Sequence, residues 1–591
     1  MSLACITAMD AHAQVVVPPA SEVPIPPKPE SDSAKIRADT IQPAFSHMPA
    51  PQIAEIGSQL QWNREELFAS GAFTVADLLE RVPGATSFRT GWLASPKLVA
   101  VNGDFGRLRI FFDGLEIDDI DPRNGAVLDL NLVQLWTLEQ VSVERFANEL
   151  RVYLRSWQVD RTSPYTRTDV STGDEDTNVY RGFYGKRFFN GAAVQAAGQQ
   201  YSTTAARLGG GGDALSFMVR TGIARPSWSV DAFVNRTRQT RVLQPTFGEG
   251  LSLPDFDAQS NFAYLRAGIG TLRRGPWLQA VASTMRLAET SRRTPVADAS
   301  TRRVVADTAD TTSSRNQYLL AAGYSRGRLE ASVHNRVRTF SGESFQSPGA
   351  RLELGNTFGL VTLSAERDGF RGSTRGDAAL RFSPLPSFAI AGAVSRASTN
   401  DQRSALEPPA QTSARLELGL RVFRAWLSAG YLTRDTALLQ PPRVFDSAYT
   451  ATATGRSSAG FLALRGRVFR EVGIDIVATR WNSAAFYQPR YQARSEANLV
   501  TRWSSRFPSG NFGLKAALVH DYRGDIAFPV ADGSVVAAAS GTVSGLLEIR
   551  IMRAIVSYQV RNITGELYQI APDFFMPRTI NFYGVRWEFW N

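Results

Sequence analysis

The chain is poor in cysteine, lysine, histidine and long apolar runs, and each shortage closes off a class of function. Its one cysteine, Cys5, leaves no disulfide and no thiolate metal site. The four histidines, His12, His47, His334 and His520, lie too far apart in sequence to form the ligand pairs of a zinc centre. Lys28, Lys35, Lys97, Lys186 and Lys515 are the only lysines, so the net charge of +10 over 591 residues is almost all arginine. Those arginines are scattered rather than gathered into a basic patch, which argues against nucleic acid and for charged residues lining a pore. No run of about 18 apolar residues exists to make a membrane-spanning helix. A barrel strand needs only about 9–11 residues with lipid on alternate side chains, so that absence does not exclude a membrane.

Nucleotide and catalytic signatures are missing as well. Gly209 to Gly212 is not followed by Lys-Ser/Thr and reads as a hairpin turn; Asn102 to Gly106 reads as another turn. There is no Gly-x-Ser-x-Gly elbow and no His-Glu-x-x-His. The expectation is a non-enzyme without a cofactor or a bound metal.

What is present is period-two alternation. In Thr579 to Asn591, Tyr583, Val585, Trp587 and Phe589 fall on one side and Gly584, Arg586 and Glu588 on the other. Ala414, Leu416, Leu418, Leu420 and Val422 oppose Arg415, Glu417, Gly419 and Arg421 in the same way. Leu329, Ala331, Val333 and Val337 oppose Glu330, Ser332, His334, Arg336 and Arg338. Alternation alone also fits a water-soluble sandwich. The connections favour a barrel. The gaps alternate between tight ones (Asn190-Gly191, Arg225 to Ser227, Arg274-Gly275, Arg326-Gly327, Gly355-Asn356, Pro384 to Pro386, Phe423-Arg424, Phe469-Arg470, Met552-Arg553) and long ones (Val242 to Gln259, Glu289 to Ser314, Thr399 to Ala410, Ala437 to Gly455, Gly524 to Ser540, Ile563 to Pro577). Tight periplasmic turns with larger outer loops are the outer-membrane pattern. The expected fold is an all-β transmembrane barrel of about 22 antiparallel strands over residues 161–591, with a small α+β domain inside it. Phe-Arg at two tight turns, with Trp426, Trp503, Tyr583 and Trp587, predicts an interfacial aromatic girdle.

Upstream, residues 1–13 read as the remnant of a signal peptide, with Ala11-His12-Ala13 as the cleavage pattern. Residues 14–52, with Pro18, Pro19, Pro24, Pro26, Pro27 and Pro29, read as an extended, mobile segment. Residues 53–160 form a separate domain. Phe73 to Gly84 predicts a short helix with Thr74 as N-cap, Asp77 in its first turn and Pro83-Gly84 as its stop. Strands are predicted at Lys97 to Asn102, Leu108 to Asp113, Leu138 to Arg145 and Leu150 to Trp157. Asp113, Glu116, Asp118, Asp119 and Asp121 make an acidic, solvated loop facing lumenal arginines.

The order of three pieces, Thr74 to Gly84, Ile110 to Gly114, and Leu138 to Arg145, resembles the plug domain of TonB-dependent outer-membrane receptors over about 80 residues. The chain departs where that family has Arg-Gly-Pro and a glycine-rich turn: here it runs Arg145-Phe146-Ala147-Asn148, which points to remodelled final plug strands. Phe582-x-Gly584-x-x-Trp587-x-Phe589 resembles the terminal signal read by the barrel-assembly machinery, with Gly584, Trp587 and Phe589 as its candidate residues. Asp39, Thr40 and Ile41 are the candidate contact for the inner-membrane energy coupler. The resemblance implies a monomeric outer-membrane receptor with a periplasmic N-terminus. It would take up a scarce small solute, such as a siderophore, vitamin or glycan, energised by TonB. A plugged passive channel or surface-interaction protein is the alternative.

Overall fold

The computed structural model describes residues 39–590 except 53, 55, 58, 118–126, 208, 249–251, 272–273, 294–306, 341, 400–407 and 510. The expected signal-peptide remnant and most of the proline-rich segment therefore lie outside the described residues, as do Asp118, Asp119 and Asp121.

Twenty-two antiparallel strands, from Tyr165–Gly173 to Ile580–Trp590, close into a barrel. The last strand pairs with the first, Gly584 opposite Ser171 and Trp587 opposite Thr168, so no edge is left open. Each wall strand pairs with its neighbours in the chain. One set of links is tight. Val422 and Arg424 are joined through Phe423 alone, in left-handed conformation at φ 57°. Asn190-Gly191 and Gly327 turn with glycine at φ 84° and 62°, where an L side chain is strained.

The wall is inside out. In Ala410–Val422, Leu416, Leu418 and Leu420 are exposed on the outer face while Arg415 and Glu417 are buried within. In Leu329–Phe340, Val333 faces out, and Arg336 and Arg338 are buried. A soluble sandwich would bury the leucines; here they form a band suited to hydrocarbon. Exposed Phe188, Phe189, Phe358, Phe423, Phe469 and Trp503 ring the tight-turn rim, where an interfacial girdle belongs. Trp426 does not join it. That ring is buried in the lumen against Ile56, Ala389 and Ala391.

The long links hold more structure than expected. Glu289 to Ser314 is not all loop: Arg274–Arg293 and Asp307–Arg326 stay paired out to Arg293 opposite Asp307, because their Thr and Ser residues continue a ladder without a greasy face. The expected turn residues Arg274-Gly275 already belong to strand Arg274–Arg293, and the strand before it ends at Thr271. Three other long links carry hairpins of their own: Ala437–Leu439 with Thr452–Thr454, Ile526–Val530 with Gly533–Ala537, and Gln569–Ala571 with Phe574–Phe575.

Inside sits the plug, a five-stranded sheet in the order Gln59–Asn63, Leu138–Arg145, Leu150–Ser156, Leu108–Phe112, Leu115–Ile117. Its helix Val75–Leu79 starts at Thr74, whose backbone NH donates to Asp77 Oδ2 at 3.0 Å. A second helix, Arg64–Ala69, has the same kind of start: Glu66 NH donates to Asn63 Oδ1 at 3.0 Å, and Glu66 Oε2 accepts from Asn63 NH at 2.9 Å. The final plug strands are intact despite the missing glycines. The Phe146–Glu149 turn is held by the wall instead: Phe146 packs on Ala379 and Ala393, Ala147 NH donates to Ser395 Oγ, and Ser413 Oγ to Asn148 Oδ1.

Candidate functional site

Three of the surfaces on which plug and wall meet are the candidate functional features. The first is ionic. Strand Leu108–Phe112 is pleated so that Arg109 points at the wall and Ile110 at the plug core. Arg109 donates to both oxygens of Glu116 at 2.7 Å and to both oxygens of Glu366 at 2.7 and 3.0 Å. From the wall, Arg336 reaches Glu116 and Glu366, each at 3.1 Å, and Arg338 reaches Asp368 at 2.7 Å. Beside them Arg151 donates to Asp377 Oδ2 at 2.9 Å, Arg375 pairs with Glu149, and Arg351 grips both oxygens of Glu144 at 2.8 and 2.9 Å. Burial alone pushes the Glu116 carboxyl up, but the guanidinium groups of Arg109 and Arg338 hold it well below the usual carboxylate range.

Glu116, Glu366 and Asp368 lie close enough together to share a cation. Arg109, Arg336, Arg338 and Arg371 surround them, so the charge an ion would bring is already supplied by protein. The acidic loop is therefore not solvated where it is described. Glu116 is in this array, and Asp113 is buried against the neighbouring part of the wall. There Asp113 accepts from Tyr264 OH at 2.7 Å, from Arg220 at 3.3 Å and from Ser156 NH at 3.0 Å. A third group holds the helical side of the plug: Arg81 to Glu496 at 2.9 Å, Arg523 to Ser87 O at 2.8 Å and Arg586 to Phe68 O at 2.8 Å. The wall arginines named here bind plug carboxylates and carbonyls; they do not line an open pore. Breaking one such buried pair costs about 3–5 kcal/mol.

The second surface closes the long-loop mouth. Plug hairpin Ala85–Arg89 with Lys97–Val101 raises Phe88 and Leu98, and Phe105 follows in the next turn. Wall-loop residues Phe445, Tyr449, Tyr487, Phe528, Ile570 and Phe574 cover them in one apolar cluster. Phe528 meets Phe88 edge-on at 5.7 Å and Tyr487 at 5.2 Å. The Tyr487 hydroxyl is buried without a hydrogen-bond partner. Lys97 sits beneath; its Nζ donates to Leu93 O at 2.8 Å and Ser95 O at 3.1 Å, and burial pushes it down to about 7.

The third surface is a strap at the tight-turn rim. The expectation places residues 14–52 in a mobile segment; its described part, from residue 39 on, is extended but packed. Thr40 NH donates to Thr162 Oγ1 at 3.0 Å and Gln42 NH to Asp160 O at 2.7 Å, with Ile41 bridged to Arg161. The Ile41 side chain stays 71% exposed. Phe45 is buried against Ala193 and Ala224.

The terminal-strand candidates lie together. Trp587 and Tyr583 face out, and Trp587 stacks with Phe589 at 6.2 Å. Gly584 faces Ser171 with no room for a side chain. His334 lies at the plug–wall boundary, and His520 is exposed on the outward face with Leu518. The helix Arg64–Ala69 is an element that the period-two pattern does not reveal; its sequence signal is the capping box Asn63-Arg64-Glu65-Glu66.

No family model matches this sequence, and no curated protein does. Solved structures match the fold. The siderophore receptor PirA from Acinetobacter baumannii is 11% identical, with 90% of this chain and 98% of that chain covered and a TM-score of 0.67. The ferric yersiniabactin uptake receptor FyuA from Yersinia pestis is 14% identical, with 90% and 98% covered and a TM-score of 0.60. The copper transporter OprC is 13% identical, with 92% and 100% covered and a TM-score of 0.69.

Proposed function

We propose that this chain, which has the plugged 22-strand barrel of the TonB-dependent outer-membrane receptors, imports a scarce solute across the outer membrane with energy from TonB. One observation carries the reading: the lumen is filled by a separate five-stranded sheet that is bonded to the wall, with apolar loops closed over its apex. A passive channel needs no such stopper, so that alternative is not favoured. In this reading the tight turns face the periplasm, and Asp39, Thr40 and Ile41 are where the coupler adds a strand. The exposed Ile41 at the rim suits that contact. The partners are then outer-membrane lipid, the coupler, the barrel-assembly machinery reading Gly584, Trp587 and Phe589, and a small solute; the receptor works as a monomer. The siderophore and copper proteins of the same fold make metal chelates the first solutes to try.

The test is growth of a deletion strain on limiting iron, copper, vitamin and glycan sources. The full chain is expected to restore growth on one source, and a chain lacking residues 15–42 is expected to leave the defect while still assembling. Restoration by both chains overturns energy coupling; no defect on any source overturns import.

A further inference from the structure

Arg351, Glu366, Asp377 and Ser395 point into the barrel, where each bonds to the plug. Their chain neighbours Ala350, Ala365, Gly376 and Arg396 therefore point out, and all four are exposed. They make one row across strands Glu343–Gly355, Gly359–Asp368, Ser373–Leu385 and Phe388–Thr399. Ala350 stands opposite Ala365, Ala365 opposite Gly376, and Gly376 opposite Arg396. The next row toward the tight turns is Leu352, Leu363, Ala378 and Val394. Large side chains in the second row and small ones in the first leave an open groove of about 870 Å³ in the outer wall, reaching from Tyr324 across to Arg396. That volume is in the range that bound small molecules fill.

Arg396 is the one charged side chain that faces outward along the groove. Arg367 stands beside it, two residues nearer the long loops than Ala365 and opposite Thr374, and is also exposed. The carboxylates beside them in the chain, Glu366, Asp368 and Asp377, are buried on the inner face. Among the described residues neither Arg367 nor Arg396 makes an ion pair. A guanidinium on a lipid-facing wall is costly in hydrocarbon, and the cost falls near a charged headgroup. A phosphate meets that need, because its oxygens match the guanidinium fork. The groove alone offers a lipid tail only closer packing, since tails are as apolar as the wall. The two features together select a molecule with an apolar chain that ends in a phosphate.

We propose that this sector of the wall binds one molecule of an anionic phospholipid, with an acyl chain in the groove and the phosphate on Arg367 and Arg396. That the lipid belongs to the outer leaflet rests on the orientation in the import reading above. The site and its test do not, so a failure of import leaves them standing.

The purified full chain is titrated in detergent with phosphatidylglycerol, or with phosphatidylcholine of the same acyl chains, and bound lipid is counted by native mass spectrometry. Arg367→Gln with Arg396→Gln removes the charge, and Ala365→Phe fills the groove. Gly460→Phe adds the same bulk on the outward face of strand Ser457–Phe469 and serves as control. The unaltered chain is expected to hold one phosphatidylglycerol about tenfold more tightly than phosphatidylcholine. The double arginine variant is expected to lose that preference, Ala365→Phe to lose the bound lipid, and Gly460→Phe to match the unaltered chain. Equal binding of the two lipids by the unaltered chain overturns the proposal. So does full binding by Ala365→Phe or by the arginine variant, and so does a loss in Gly460→Phe as large as that in Ala365→Phe. Inorganic phosphate that displaces the lipid at equal concentration also overturns it, because the arginines then hold an anion without a tail. If Ala365→Phe fails to assemble, Ala350→Leu fills the same row and decides by the same criteria.

Discussion

Arg109 donates four hydrogen bonds to Glu116 and Glu366, one carboxylate from its own domain and one from the wall. Removing it leaves two buried charges short of a partner. Arg109→Ala is expected to weaken the plug by about 3–5 kcal/mol, read as a lower urea midpoint for plug unfolding while the barrel stays folded. The same array fixes a pH dependence. Glu116 and Asp113 are held below their usual range when folded: burial raises both, and Arg109 with Arg338 for the first, Arg220 with Arg266 for the second, more than reverse it. The unfolded plug therefore binds more protons on acidification. Their contribution is fully present above the ordinary carboxylate range and drains away as pH falls through the depressed values. Protease digestion of the plug in assembled barrels should accelerate below about pH 4, and unchanged resistance there would contradict the assignment. An acidic stretch opposite lumenal arginines is legible in the sequence. Which arginine meets which acid is not, because Glu116 and Glu366 are brought together only by barrel closure and register.

At the scale of elements, strict alternation in the last strand assigns its faces correctly. Gly584 is the position its pairing cannot spare: a β-carbon there would stand 2.6 Å from Val170 O, and backbone cannot yield as a side chain does. Gly584→Val is expected to block closure onto the first strand and to deplete the heat-modifiable folded form on unboiled gels. Wild-type levels of that form would show that the strand pair tolerates a side chain. The paired extension from Asp255–Thr271 to Asp307–Arg326 is hidden because Thr, Ser and Arg alternate without any greasy side to mark a strand. The packing of the strap is hidden for a related reason. The proline-dense stretch lies outside the described residues, and whether the chain that follows it is free depends on Phe45 and Ile56 finding pockets in a wall far along the sequence.

For the whole molecule, the parity of short and long links announces the barrel, and the exposed leucines with buried arginines confirm which solvent each face is built for. Leu418→Arg, in the middle of a lipid-facing row, is expected to cost about 2–4 kcal/mol, measured by reversible unfolding in lipid vesicles. The function at the long-loop mouth is less legible, because its cover is assembled from single residues in several hairpins, none of which is a motif. That cover is greasy, while the grip below it is electrical. Cooling weakens contacts of the first kind, and salt scarcely reaches buried pairs of the second. Such a vessel loosens its lid in the cold while its stopper holds in brine.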